Sequence, residues 1–154
     1  MKDGLGEAAV ERIIDGLLDA GADFSAESFR KDALSVLPRL AKILGRIRDH
    51  WNEGDPGDNL RTFAAWPITD YVAEYGLNHP EIALPLLRYL TPMYTAEFAI
   101  RPFLECHPEL TYRQMVLWCL DSSAHVRRLA SEGIRPRLPW GRQLPSYIEN
   151  PVDV

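Results

Sequence analysis

Two glutamates stand among apolar neighbours in the C-terminal half of this sequence, Glu97 in AEFAIRPFL and Glu132 in HVRRLASEG. Shortly after them comes a proline-rich loop, IRPRLPWG, with Trp140 near its tip and arginines within and around it. A carboxylate fixed in a partly apolar setting can oppose a developing positive charge or take a proton from an attacking water. An indole face attracts cations through its quadrupole, by ~0.5–2 kcal/mol. Guanidinium groups recognise phosphate or carboxylate through two parallel hydrogen bonds. Carboxylate, cation and aromatic therefore converge on the stretch from Tyr94 to Gly141.

The elements that must position these residues are helical. Val126, Leu129 and Gly133 fall at i, i+3 and i+7 and form one stripe toward a core, which leaves Arg128, Glu132 and Arg135 on another face. Gly133 is expected to end the helix by taking positive φ. Pro136 and Pro139 stiffen the following strap, so Arg135, Arg137, Trp140 and Arg142 are presented at low entropic cost. His125 stands beside Arg127 and Arg128 and is a candidate phosphate contact. Further back, Trp66-Pro67 interrupts any continuous helix and puts Thr69 or Asp70 in the first turn of a new one, where the helix dipole favours an acid. Spacing alone also admits plainer roles. Glu97 and Arg101 at i, i+4 read as a surface ion pair worth ~0.2–0.5 kcal/mol, Asp70 as a first-turn acid and Trp66 as a core aromatic. Glu132 with Arg128 has the less favourable order, so its functional reading is the stronger of the two glutamates.

The chain has 154 residues, 46% hydrophobic and 25% charged, the composition of one globular domain able to bury a core. No apolar run approaches the ~18 residues of a membrane span, and the acidic, periodic N-terminus is unlike a signal peptide, so a cytoplasmic protein with no membrane contact is expected. Cys106 and Cys119 show no metal-ligand spacing and read as buried thiols; neither a metal nor another cofactor is expected. The net charge is −5, but residues 101–154 carry seven bases, all Arg, against six acids. In chain order, residues 6–21 form an amphipathic helix, Ser25 opens a second, Pro38 starts or kinks a third, and 52–59 is a turn cluster. His79-Pro80-Glu81-Ile82 recurs as His107-Pro108-Glu109-Leu110, 28 residues on, and each copy leads into an apolar helix, with second helices at 95–104 and 123–133. No period-2 strand pattern competes. The fold class is therefore all-α, a HEAT-like α-α superhelix of stacked antiparallel helix hairpins in one domain, 1–154, with N-terminal helices over 1–59 and repeats over 60–154.

AEFAIRPFL, HVRRLASEG and RPRLPWG, preceded by WPITDYVAEYG, resemble the AlkC branch of the AlkC/AlkD DNA alkylation-repair glycosylases, strongly over residues 60–150. The resemblance implies a right-handed solenoid whose concave face holds double-stranded alkylated DNA. It implies hydrolysis of the N-glycosidic bond of cationic bases such as 3-methyladenine or 3-methylcytosine. Glu97 and Glu132 match that family's active-site carboxylates, Trp140 its aromatic beside the lesion, and Trp66 with Asp70 its Trp-x-x-x-Asp element. Arg127, Arg128, Arg135 and Arg137 match its basic stretch, and Arg101, His125 and Arg142 join them as DNA contacts. Proteins of that branch are longer, with further repeats, so a chain ending here is expected to self-associate through its open solenoid end. The competing expectation is a non-catalytic HEAT-like module that binds DNA or a protein helix, with its glutamates consumed in ion pairs.

Overall fold

Prolines decide where helices begin in this chain. The computed structural model describes residues 41–52, 54, 56–58 and 61–151. After helical residues 41–44, the helices are α1 (Ile47–His50), α2 (Trp66–Tyr75), α3 (Pro80–Leu90), α4 (Arg101–Cys106), α5 (Pro108–Trp118), α6 (Ala124–Gly133) and α7 (Pro145–Glu149), with a 3₁₀ turn over Arg61–Ala65. Each of α2, α3, α4, α5 and α7 has proline at one of its first two positions, where the missing N–H would have had no partner. The described residues contain no strand, so the expected all-α class is what the chain forms. No helix among them is long and apolar enough to cross a membrane. The helices expected over 6–21 and from Ser25 lie outside the described residues.

The 28-residue repeat is visible in backbone geometry. His79 and His107 take nearly the same dihedrals, φ −138°, ψ 56° and φ −135°, ψ 56°. Each opens an 11-residue helix and accepts, through its carbonyl, the amide four residues on, Ala83 or Thr111, both at 3.0 Å. The His107 ring also meets the Leu77 carbonyl at 2.7 Å and ties the second repeat to the loop before the first. Helix α2 packs on α3, α4 on α5, and α5 on α6. Val72, Leu87, Ile100, Phe103 and Leu129 are wholly buried between them. Burial of a side chain such as Phe103 contributes about 1.5–3 kcal/mol, which is what holds a stack with so few long helices together.

Four local expectations are corrected. The helix expected over 95–104 does not start until Arg101: residues 97–100 are turns, because Pro102 has no N–H to continue a ladder from them. Asp70 follows the first turn of α2 instead of sitting in it, and Thr69 Oγ1 there donates to the Trp66 carbonyl at 2.8 Å. Gly133 does end α6, but without positive φ. A Cβ on it would lie 2.8 Å from Ile100 Cγ2 and 3.3 Å from the Met115 methyl, so glycine is needed for close approach. Cys106 and Cys119 are exposed, because one ends α4 and the other follows α5, where each helix leaves its neighbours.

Candidate nucleic-acid-facing site

Glu97 is held in its turn by two threonines. The Ala96 amide donates to buried Thr91 Oγ1 at 3.0 Å, and the Glu97 amide to Thr95 Oγ1 at 3.4 Å. The glutamate side chain is only 6% exposed, and its partner is Arg128 on α6, whose Nε reaches Oε1 at 3.1 Å. The expected pairing with Arg101 does not occur. The Arg128 contact is close enough for charge attraction but is misaligned, so Glu97 Oε1 is buried without a hydrogen-bond donor among the described residues. A buried carboxylate oxygen left in this way is uncommon, and a polar or cationic group brought to it would be attracted strongly.

Beside Glu97 stands a tier of aromatic rings. Trp66 stacks on Tyr94, with centroids 5.5 Å apart and 17° between planes, and on Phe98, at 5.7 Å and 18°. Phe63 leans on both Trp66 and Tyr94. Burial raises the Tyr94 pKa, and the charges of Asp70 and Glu97 raise it further. Asp70 has its own pKa raised by burial and partly pulled back by the Trp66 indole N–H. That N–H falls short of hydrogen-bond geometry and stays unpartnered. A hollow of about 380 Å³ continues from this point, lined by Asp70, Glu74, Phe98, Pro102 and Arg142 among others.

The strap closes the other side. Glu132, 34% exposed, pairs with Arg135 at 2.7 Å. Glu132 raises the Arg135 pKa. Arg128, which holds Glu97, lies four residues before Glu132 on α6 and so beside it on that helix, which puts the two glutamates on one side of the molecule. Pro139 and Trp140 form the strap's tip, and a bond from the Gly141 amide to the Leu138 carbonyl, 3.0 Å, closes the turn. Gly141 rests on Leu138 and Phe98: a Cβ there would lie 3.2 and 3.3 Å from them. Trp140 is 99% exposed and has φ 60°, a left-handed conformation that costs a bulky residue of order 1–3 kcal/mol.

The other sequence-predicted contacts divide. Arg128, Arg135, Arg137 and His125 are exposed, and the first two hold Glu97 and Glu132. Arg127 is also exposed, but it donates to the Asp121 and Ser122 carbonyls at 2.7 and 2.9 Å, which secures the turn before its own helix. Arg142 pairs with Glu105 at 2.7 Å. Trp66 is a half-buried support for its ring neighbours, stacked on Tyr94 and Phe98. Arg101 is not a surface contact: it is fully buried, and its guanidinium donates to backbone carbonyls of the strap. Sequence reasoning missed Tyr94 and Phe98. Tyr94 carried a signal, since it follows Trp66 by 28 residues, the repeat's own offset (94 − 66).

No family model matches the chain. A Bacillus subtilis (strain 168) protein described as uncharacterized protein YhaZ is 47% identical over 100 residues, 65% of this chain and 28% of that one. The structure of Pseudomonas fluorescens alkylpurine DNA glycosylase AlkC bound to DNA containing an abasic site analog matches with a TM-score of 0.66 and 30% identity. That match covers 95% of this chain and 45% of the other. The chain thus spans less than half the length of either relative. The likeness to AlkC read from the sequence holds in the folded chain, and the all-α stack is of the HEAT-like kind that this neighbour has.

Proposed function

We propose that this chain forms the lesion-facing part of a DNA glycosylase that removes cationic N-alkylated bases, such as 3-methyladenine or 3-methylcytosine, from double-stranded DNA in the cytoplasm. The observation that carries the proposal is the buried Glu97 carboxylate oxygen with no hydrogen-bond donor, set beside stacked aromatics on the side of the molecule that also carries Glu132. Structural similarity to a DNA-bound AlkC glycosylase supports the same reading.

In this reading the bond between C1′ and the base nitrogen breaks, and its electron pair passes to the cationic base, which leaves neutral. The sugar becomes an oxocarbenium-like cation. Glu97, fixed by Thr91 and Thr95 in a water-poor setting, opposes that charge. Water then adds to C1′, and its proton passes to Glu132, the more exposed of the two acids. Arg128 and Arg135 are more exposed than the glutamates they hold, 63% against 6% and 51% against 34%. Phosphate can therefore draw either guanidinium away and leave a carboxylate free. Trp140, standing clear of the fold on the strap's tip, meets the duplex beside the cationic base.

The experiment is release of methylated base from alkylated duplex DNA by wild type, E97Q and E132Q. Release by wild type and its loss in both variants is the expected result. A second reading, a DNA-binding module without catalysis, is favoured by one observation: both glutamates sit in ion pairs. Salt-dependent DNA binding with no base release by wild type would establish it and end the first.

A further inference from the structure

Arg101 is the most buried cation among the described residues, and nothing in the proposed chemistry uses it. Its position is unusual in what surrounds it. The side chain leaves the first turn of α4 and ends among carbonyl oxygens that all belong to one segment, the strap. Nη1 donates to Gly133 and Arg135, each at 2.9 Å, Nη2 to Pro136 at 3.2 Å, and Nε to the carbonyl of Arg142. These acceptors span positions 133 to 142, so a single planar group gathers the two ends of the loop that carries Trp140. Burial lowers the Arg101 pKa, opposed by Glu105, the same carboxylate that holds the Arg142 side chain at 2.7 Å. Between the gathered ends Trp140 takes φ 60°, and just beyond them the Leu144 N–H returns to the Pro136 carbonyl at 3.0 Å.

A lysine ammonium offers three donors around a point and cannot reach carbonyls spread across a plane, whereas a guanidinium offers five donors in a fixed fork. Backbone carbonyls satisfied this way help to give the strap a fixed shape without a helix or a sheet. We infer that Arg101 is a positioning residue: it acts through the strap, holding Gly133 to Arg142 in the one arrangement that projects the Trp140 indole away from the fold. Its value for DNA binding rests on the reading of this face given above, whereas its effect on the strap does not.

The test separates the two. Protein labelled with 5-fluorotryptophan gives one fluorine resonance for each of Trp51, Trp66, Trp118 and Trp140, and W140F identifies the last. In R101K the Trp140 resonance is expected to move and narrow toward that of a freely rotating exposed indole, while the other three hold their positions. A Trp140 resonance unchanged in R101K overturns the proposal. If R101K does not fold, the wild-type Arg101 Nε–H decides instead: slow hydrogen exchange relative to the surface arginines supports the proposal, and exchange as fast as theirs overturns it. Binding to a duplex with an abasic-site analogue adds a second arm. R101K and W140A should lose the same fold in affinity, and the double variant no more than either. Losses that multiply overturn the positioning role. Failure of wild type to bind the duplex refutes the proposed function and leaves the fluorine result to decide the role of Arg101.

Discussion

Replacing Glu97 by Gln keeps the shape of the side chain and removes one unit of charge from beside the aromatic tier. If that charge faces the sugar cation at ~4 Å under an effective dielectric of about 20, it stabilises a full positive charge by about 4 kcal/mol. At about 1.4 kcal/mol for each factor of ten, this is ~10³ in rate, and partial charge development brings the expectation to ~10²–10³. Stability should change little. The partner Arg128 keeps 63% of its side chain in water and makes no aligned hydrogen bond to Oε1, so the pair is closer to a surface ion pair, worth at most about 1 kcal/mol, than to a buried bridge. For a chain of this size that is a melting shift of roughly 2–4 °C. The assay is single-turnover release of methylated base, with binding to an abasic-analogue duplex measured in parallel. E97Q should lose rate and keep binding, or bind more tightly because an anionic group near phosphate is gone. Release by E97Q at the wild-type rate would refute the argument, as would equal losses of rate and binding, which would make Glu97 scaffold.

Three further outcomes are expected. G133A places a methyl 2.8 Å from Ile100 Cγ2 against a buried stripe, so over-packing by about 1–3 kcal/mol should outweigh the ~1 kcal/mol gain in helix propensity and lower the melting temperature. The raised pKa of Asp70 means that the folded state binds its proton more tightly than the unfolded chain does. The associated stability is complete below the ordinary value of 3.8 and is lost as pH rises through the raised one; D70N, always neutral, should therefore melt above wild type near neutral pH and converge with it in acid. R128A should weaken duplex binding almost uniformly across sequences and reduce the slope of log affinity against log salt by about 1; an unchanged slope would mean that Arg128 never leaves Glu97 for phosphate.

What the sequence made legible was whatever depends on local spacing. The 28-residue recurrence foretold matched helix openings at His79 and His107, and the i, i+3, i+7 stripe of Val126, Leu129 and Gly133 is buried as expected. Pairings across the stack were not legible, because they depend on which turn of one repeat faces which helix of the next. Glu97 offered Arg101 four residues on, but a proline at 102 turned its segment into non-helical turns and aimed it at Arg128 instead. Arg101 lost its expected role to the same change, since the register that released Glu97 swung the arginine inward under the strap. The ring partners of Trp66 were not legible because Tyr94 and Phe98 lie 28 and 32 residues further on.

The two ion pairs need not count against catalysis, and the reason lies in their asymmetry. A structural bridge holds both members out of water and satisfies their hydrogen bonds, since an exposed or misaligned pair contributes so little. Here the acid is the less exposed member and the base the more exposed one, in both pairs, and for the buried Glu97 the aligned hydrogen bond is missing altogether. Folding has thus placed Glu97 where desolvation makes its charge count, and has left its counter-ion where a phosphate can compete for it. An arrangement selected only for stability would gain by reversing that order, with the long arginine packed along its methylenes and the glutamate in solvent. Arg101 is an arginine packed inside in that way, and its donors are spent on the backbone of the strap.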